Sequence, residues 1–326
     1  MTKYLRNGYP KPQSITIANM TKTIQPNITE LLHSRILVVD GAMGTSLQTL
    51  DLTPEDFGGL QYEGCNEHLN LTKPQVISEI HKQYLQSGAD IIETNTFGAT
   101  SVVLAEYDLH HLDFEINLAA ARIAKEAASQ YSTDDKPRFV AGSMGPTTKT
   151  ISLTGGITFD ELASSFKNQA YGLLQGGVDF LLLETSQDTI NIKAGVDGIK
   201  EAFADLGFQV PIAIQGTIEP MGTLLAGQDI EALYTSLEHL NLLWIGINCA
   251  TGPSFMSDHI RQLATFSKFP ISCIPNAGLP DEDGNYNETP DMFSSAIEGF
   301  IDNGWLNVVG GCCGTGPDHI QKLASV

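Results

Sequence analysis

Short apolar segments recur along the chain from residue 35 onward, and each ends at a turn that precedes a helical pattern. The segments are rich in β-branched residues and are bounded by glycine, asparagine or other polar residues, which is typical of buried strands. We predict eight of these strands, at residues 36–39, 90–93, 139–141, 180–183, 211–214, 243–247, 271–274 and 306–309.

A helical pattern follows each predicted strand, for example at residues 74–86, 114–130, 189–206, 230–240, 255–267 and 289–302, and from residue 317. Thr158 and Glu161 have the spacing of a capping box for the third helix. Thr289 and Pro290 supply an N-cap and a first-turn proline for the seventh. Eight strand–helix units without a break in composition predict a single-domain α/β fold, a (β/α)8 TIM barrel, rather than an open doubly wound sheet.

The first 30 residues differ from the rest of the chain. They are polar, include Pro10, Pro12 and Pro26, and show neither helical nor strand periodicity. We therefore predict a poorly structured N-terminal extension over residues 1–30 and a barrel over residues 31–326.

Composition narrows the class of protein. A chain of 326 residues that is 42% hydrophobic can build one large core. The formal net charge of −20, from 38 acidic and 18 basic residues, argues against nucleic acid and anionic membranes as partners. No apolar run approaches the roughly 18 residues of a membrane span, and no secretory signal is visible. We expect a cytoplasmic protein with reduced cysteines.

Barrels of this kind carry their chemistry at the carboxyl ends of the strands, so residues that are distant in sequence share one mouth. The polar and sulfur-containing side chains at the predicted strand ends are Asp40, Glu93, Asn95, Glu184, Asn248, Cys249, Asn276, Cys312 and Cys313. We expect these side chains to form one site.

The vicinal cysteines Cys312 and Cys313 lie between glycines near the end of the chain, and Cys249 follows the sixth predicted strand. Three thiolates suit Zn²⁺ and leave a tetrahedral ion one open position, which is typical of a catalytic site. Buried free cysteines or a reversible vicinal disulfide are the alternatives. Cys65 and Cys273 are expected to be ordinary reduced residues.

The other polar residues of the mouth have two interpretations each. Asp40 could orient a polar substrate beside backbone N–H groups or bond to its own turn. Glu184 ends an apolar strand and needs a cation, either a lysine or a substrate ammonium. Asn276 could offer its carbonyl oxygen to the metal or support its turn. Ser143 lacks a nucleophile-elbow frame and no His-Glu-x-x-His motif is present, so hydrolases are not indicated.

Five motifs at strand ends, taken together, resemble the homocysteine S-methyltransferase family, and most closely the homocysteine-binding modules of cobalamin-dependent methionine synthases. The similarity covers residues 35–325. The motifs are Asp40-Gly41-Ala42-Met43-Gly44-Thr45, Gly88-Ala89-Asp90-Ile91-Ile92-Glu93-Thr94-Asn95-Thr96-Phe97, Gly246-Ile247-Asn248-Cys249, Pro275-Asn276-Ala277-Gly278 and Gly310-Gly311-Cys312-Cys313-Gly314-Thr315.

The resemblance implies a zinc ion held by Cys249, Cys312 and Cys313, which binds the thiol of L-homocysteine before its methylation to methionine. It also implies substrate contacts by Asp40, by the backbone of Gly41 and Ala42, and by Glu184, which would meet the ammonium group. Asn95 is a further candidate substrate contact.

The methyl donor implied by the resemblance is methylcobalamin, recharged from methyltetrahydrofolate. Complete methionine synthases carry folate, cobalamin and reactivation modules after this barrel, whereas this chain stops at Val326. We therefore expect cobalamin- and folate-binding modules or subunits as partners. A stand-alone enzyme that uses S-methylmethionine is the alternative, and betaine-using members are disfavoured because they extend beyond the barrel. A non-catalytic zinc or redox sensor that binds a thiol is the alternative of another class.

Overall fold

The computed structural model describes residues 27–326. Eight strands form its sheet: β1 Leu37–Val38, β2 Ile91–Glu93, β3 Phe139–Met144, β4 Phe180–Ser186, β5 Ile212–Gly216, β6 Ile245–Asn248, β7 Ile271–Ile274 and β8 Val308–Val309. Twelve α-helices accompany them within this range: α1 Ile28–Leu32, α2 Met43–Gln48, α3 Leu69–Thr72, α4 Pro74–Gln86, α5 Ser101–Leu104, α6 Asp113–Tyr131, α7 Phe159–Gly176, α8 Thr189–Leu206, α9 Ile230–Leu237, α10 Pro253–Phe266, α11 Pro290–Asp302 and α12 Pro317–Leu323.

The eight strands are parallel, and each pairs with its neighbours in chain order, while β1 pairs with β8. A bridge between Val39 and Ile91 joins the two remaining edges, and the Asp40 N–H donates to the Ile91 carbonyl at 3.0 Å. The sheet thus closes into the (β/α)8 barrel predicted from the sequence.

Strand lengths differ from the predicted ones. β3 and β4 continue to Met144 and Ser186, and they remain buried throughout. The last residues of β3 and β4, at the barrel mouth, include polar side chains and are still part of the sheet. The apolar runs that predict these strands therefore end before the strands do. By contrast, β8 contains only Val308–Val309, since the glycines that follow turn into the loop.

Two helix starts are set by the residues that the sequence indicates. The Thr158 side chain accepts from the Glu161 N–H while Glu161 bonds back, so the capping box of α7 is confirmed. Pro290 lies in the first turn of α11, and Thr289 caps it by accepting from the Met292 N–H. The helices pack around the sheet through their apolar faces, and this packing forms the larger core.

A second core fills the barrel interior. Alternate strand residues such as Ile91, Phe180 and Leu182 contribute to it, together with Trp244. Helix α1 adds Ile28 and Leu32, which pack at the amino ends of the strands. The predicted boundary at residue 30 falls within this helix, and residues 1–26 of the predicted extension lie outside the described part of the chain. Among residues 27–326, no helix combines the length and apolar character needed to cross a bilayer.

Candidate functional site

Three cysteines meet at the carboxyl end of the barrel. Cys249 follows β6, and Cys312 and Cys313 follow β8. Their Sγ atoms all lie within 4.8 Å of one another, and those of Cys249 and Cys313 are 4.0 Å apart. Three thiolates bound to one zinc at about 2.3 Å would have sulfurs roughly 3.8 Å apart in tetrahedral geometry. The donor set therefore fits zinc, with one coordination position left for another ligand.

Unusual backbone conformations place Cys249. Cys249 and Ala250 have φ of 60° and 58°, in the left-handed region that few residues other than glycine adopt. The Cys249 N–H donates to Ile274 at the end of β7, and its carbonyl accepts from the Thr251 N–H at 2.7 Å. Left-handed residues at a site are a form of local strain that the surrounding structure must hold in place.

The loop after β7 holds the vicinal pair. The Cys312 N–H donates to the Pro275 carbonyl at 2.7 Å, and the Ala277 N–H donates to the Cys313 carbonyl at 2.9 Å. Asn276 lies between these contacts, and its Oδ1 accepts from the Cys313 N–H at 3.0 Å. This bond joins the loop after β7 to the loop after β8, and the two roles predicted for Asn276, support of its turn and metal ligation, stay predictions.

Protons are shared unequally within the cysteine cluster. Contacts with Cys249 and Cys312 lower the pKa of Cys313 to about 3. Contacts with Cys249 and Cys313, together with burial, raise the pKa of Cys312 well above its usual range. Two thiols thus stabilise one thiolate, and further deprotonation would place like charges side by side. A bound cation is what allows three thiolates to coexist in such a site.

Glu184 lies beside this cluster near the end of β4 and is 5% exposed. Ser143 Oγ donates to its Oε1 at 2.5 Å, and Asn248 Nδ2 donates to its Oε2 at 3.2 Å. Burial raises the pKa of Glu184 to about 7, against the lowering effect of the Ser143 bond. No lysine of residues 27–326 pairs with it. Of the two predicted cations, a lysine is thus absent among these residues, and a substrate ammonium stays a prediction.

Asn248 connects the Glu184 carboxylate to the segment that carries Cys249. Its Oδ1 accepts from the Thr185 N–H at 2.8 Å, and its Nδ2 also donates to Thr185 Oγ1. It directly precedes Cys249, so one residue links Glu184 to the cysteine cluster. The sequence places Asn248 at the mouth without indicating its role, and it indicates no role for Ser143 because the nucleophile-elbow frame is missing. Neither residue carries a local motif that indicates its partner.

Asp40 is 3% exposed and accepts from the Glu93 N–H through Oδ2 at 3.1 Å. Burial raises its pKa well above the usual range, and the charge of Glu184 adds to this effect. The neighbouring Ala42 N–H is already used, because it donates to the Thr315 carbonyl at 3.1 Å. Of the two backbone N–H groups predicted to contact the substrate, that of Gly41 is therefore the more available donor.

Asn95, in the loop after β2, is 5% exposed and is hydrogen-bonded to the segment after β1. Its Nδ2 donates to the Asn66 carbonyl at 2.8 Å, and its own carbonyl accepts from Asn70 Nδ2 at 2.7 Å. These contacts attach the β1 loop to the β2 loop. The substrate contact that we predicted for Asn95 stays a prediction.

The two other cysteines lie apart from the cluster. Cys65 and Cys273 are free and buried, and burial raises the pKa of the Cys65 thiol to about 12. Both are therefore inert thiols of the core, in agreement with the sequence prediction.

Known proteins are similar to most of this chain. The homocysteine S-methyltransferase family model matches residues 37–326. A methionine synthase of Mycobacterium leprae is 42% identical over 314 residues, which are 95% of this chain and 26% of that protein. The chain thus spans about a quarter of the length of this curated relative.

Solved structures match the fold. The oxidised form of a homocysteine methyltransferase from Escherichia coli superposes with a TM-score of 0.72 at 20% identity, covering 89% of this chain and 95% of that one. Its metallated form has the same TM-score and identity, covering 89% and 96%. The family match extends from the first strand to the last residue and includes all three cysteines of the mouth. The chain belongs to the homocysteine S-methyltransferase family.

Proposed function

We propose that this chain transfers a methyl group to the thiol of L-homocysteine, giving methionine, and that it does so with a zinc ion. The observation that carries the proposal is the cluster of Cys249, Cys312 and Cys313 at the barrel mouth, with Sγ atoms within 4.8 Å. A redox pair needs only two sulfurs, whereas three sulfurs around one point are the donor set of a metal.

Cys249, Cys312 and Cys313 would hold the zinc, which supplies the positive charge that keeps a fourth sulfur, that of homocysteine, deprotonated at neutral pH. A free thiol with a pKa near 8.5 is only a few per cent thiolate at pH 7. Asp40 and Glu184 would bind the substrate ammonium, and the Gly41 N–H is available to the carboxylate. The substrate is then oriented with its sulfur toward the open side of the mouth.

The homocysteine sulfur attacks the methyl carbon as a new C–S bond forms and the bond to the donor breaks. We propose methylcobalamin as donor, recharged from methyltetrahydrofolate by cobalamin- and folate-binding modules or subunits. Two observations support this donor. The relative named methionine synthase is about four times as long as the aligned segment, so it carries further parts.

The second observation is an apolar rim on the mouth. Large hydrophobic side chains are exposed in the loops or first helical turns that follow β2, β3, β5, β6 and β7: Phe97, Leu153, Met221, Leu225, Phe255, Leu279 and Met292. Because these seven exposed side chains share the carboxyl end of the barrel, they would suit contact with another protein there. A free donor the size of an amino acid would not need this rim.

All five cysteines are free, which is consistent with the cytoplasm.

The proposal is tested by mixing zinc-loaded protein with methylcobalamin and L-homocysteine and following the loss of methylcobalamin absorbance together with methionine formation. We expect zinc-dependent turnover and about one zinc per chain. Zinc binding and turnover should both be abolished in each of the variants Cys249→Ala, Cys312→Ala and Cys313→Ala. Cys65→Ala removes a thiol outside the cluster, so it should retain zinc binding and turnover.

Other outcomes identify the alternatives. Turnover with S-methylmethionine but not with methylcobalamin would identify the stand-alone type of enzyme. Zinc binding without methyl transfer from either donor would favour a binding module. Retained turnover in any of the three mouth cysteine variants would contradict the zinc assignment.

A further inference from the structure

Glu93 is a third carboxyl group inside the mouth. It is the last residue of β2, and Ile91, two positions earlier, belongs to the core of the barrel interior. Side chains alternate along a strand, so Glu93 points to the same interior as Ile91. Glu184 has the same relation to Leu182 on β4. Both glutamates therefore point into the barrel, on the carboxyl side of the apolar interior.

Glu93 differs from the other two carboxylates in its partners. Asp40 accepts from the Glu93 N–H, and Glu184 accepts from Ser143 and Asn248. The Glu93 carboxylate itself has no hydrogen bond or ion pair with any residue in 27–326. It is half-buried, whereas Asp40 and Glu184 are 3% and 5% exposed. Glu93 is thus the carboxylate most available to a ligand.

The cluster of Asp40, Glu93 and Glu184 has no compensating cation in the described chain. Burial raises the pKa of Glu93 well above its usual range, and the charges of Glu184 and Asp40 raise it further. An acidic group whose pKa is raised on folding lowers the stability of the protein at neutral pH. Such an unfavourable arrangement is typical of a site that is completed by a ligand of opposite charge.

We propose that Glu93 is a specificity-determining residue that binds the ammonium group of the substrate directly. This inference rests on the proposed function and adds a residue to it. With Glu93, the site distinguishes an amino-acid thiol from a simple thiol. The ammonium neutralises part of the cluster, whereas a thiol without it leaves the three carboxyl groups without a positive charge beside them. A site built to bind a polar group of its substrate rejects an analogue that lacks this group, because the polar side chains of the site are then left without their partner.

The test compares L-homocysteine with 4-mercaptobutanoate, which has the same thiol and carboxylate but no amino group. Both are titrated into the cobalt-substituted protein, in which the visible absorption of Co²⁺ reports thiol binding without turnover. The variant is Glu93→Gln, which keeps the size of the side chain. Glu282→Gln is the matched control, because Glu282 is exposed in the loop after β7.

We expect Glu93→Gln to weaken the binding of L-homocysteine at least tenfold, which corresponds to about 1.4 kcal/mol. Binding of 4-mercaptobutanoate should be unchanged or stronger, so that the discrimination between the two thiols falls by at least tenfold. The KM for L-homocysteine should rise more than kcat falls. Glu282→Gln should bind both thiols as the unmodified chain does.

Thermal stability gives a second readout. At pH 8 the metal-free Glu93→Gln protein should melt at a higher temperature than the unmodified chain, because the neutral amide removes repulsion by Asp40 and Glu184. A purely structural glutamate would show the opposite change. Glu93→Asp keeps the charge with a shorter reach, so it should lose part of the discrimination and remains informative if the Gln variant does not fold.

Equal weakening of both thiols, or no change in either, would overturn the role of Glu93. These results differ from a failure of the proposed function. If the unmodified chain binds neither zinc nor L-homocysteine, the function itself is wrong. If it binds both and Glu93→Gln discriminates as before, only the inference about Glu93 is wrong.

Discussion

His81 on α4 is fully enclosed, and neither of its ring nitrogens has a hydrogen-bond partner within the described chain. Burial lowers its pKa to about 4. Between this value and the unfolded value near 6.5, the unfolded chain binds a proton that the folded chain does not. Stability should therefore fall as pH decreases from about 6.5 to 4, by up to about 3 kcal/mol from this residue alone.

His81→Leu should remove this contribution. We expect the variant to gain stability relative to the unmodified chain when the pH is lowered from 8 to 5, measured as the shift in urea midpoint at each pH. The exposed His239 is the control, and His239→Leu should leave the pH dependence unchanged. The same pH dependence in His81→Leu as in the unmodified chain would show that the residue does not titrate as inferred.

At the scale of single elements, the loop between β8 and α12 depends on Gly314. This residue has a φ of 78°, and a Cβ built on it would lie 2.2 Å from the Cβ of Tyr286 in the β7 loop. Its N–H donates to Thr45 Oγ1 at 3.0 Å. The loop that carries Cys312 and Cys313 therefore has no space for a side chain at this position.

Gly314→Ala should displace Cys313 and lower the affinity for zinc by tenfold or more, measured by competition with a chelating dye. The added strain of a left-handed alanine costs about 1–2 kcal/mol before the clash is counted. Gly299→Ala in the middle of α11 meets nothing within 4 Å, so it should retain zinc affinity and gain about 0.5–1 kcal/mol of stability. Unchanged zinc affinity in Gly314→Ala would show that the loop tolerates displacement.

Elements were predicted more reliably in number than in length. The sequence predicted all eight strand–helix units, but not that β4 extends to Ser186 or that α2 and α5 occupy the first two loops. Apolar periodicity marks the part of a strand that faces the core, and this signal ends where polar residues of the mouth begin. Short helices in loops bury few side chains, so their pattern is weak.

At the scale of the whole molecule, the apolar rim predicts that the rate of methyl transfer depends on whether methylcobalamin is carried on a protein or free in solution. Met221 and Phe255 are 75% and 53% exposed in the loop after β5 and the first turn of α10. Met221→Ser combined with Phe255→Ser should raise the KM for methylcobalamin carried on a protein by about tenfold or more, because burial of each large apolar side chain contributes about 1.5–3 kcal/mol. Turnover with free methylcobalamin should change much less.

Phe208 provides the control for this prediction. It is 47% exposed but lies between α8 and β5, at the amino end of the barrel. Phe208→Ser should therefore leave transfer from both donors unchanged. An equal loss with free and protein-carried donor in the rim variant would show that these side chains do not contact a donor protein.

The sequence by itself determined the number and order of the strands, the barrel class and which three of the five cysteines meet at the mouth. These features depend on local periodicity and on the rule that strand ends share one mouth. The tertiary structure decided which partners each polar side chain has: Asn276 bonds to Cys313, Asn95 bonds to Asn66, and the Glu93 carboxylate has no hydrogen-bond or ion-pair partner among residues 27–326. Partners in the mouth come from loops that are distant in the chain, so their distances depend on the closure of the barrel and on loop conformations that no local pattern encodes.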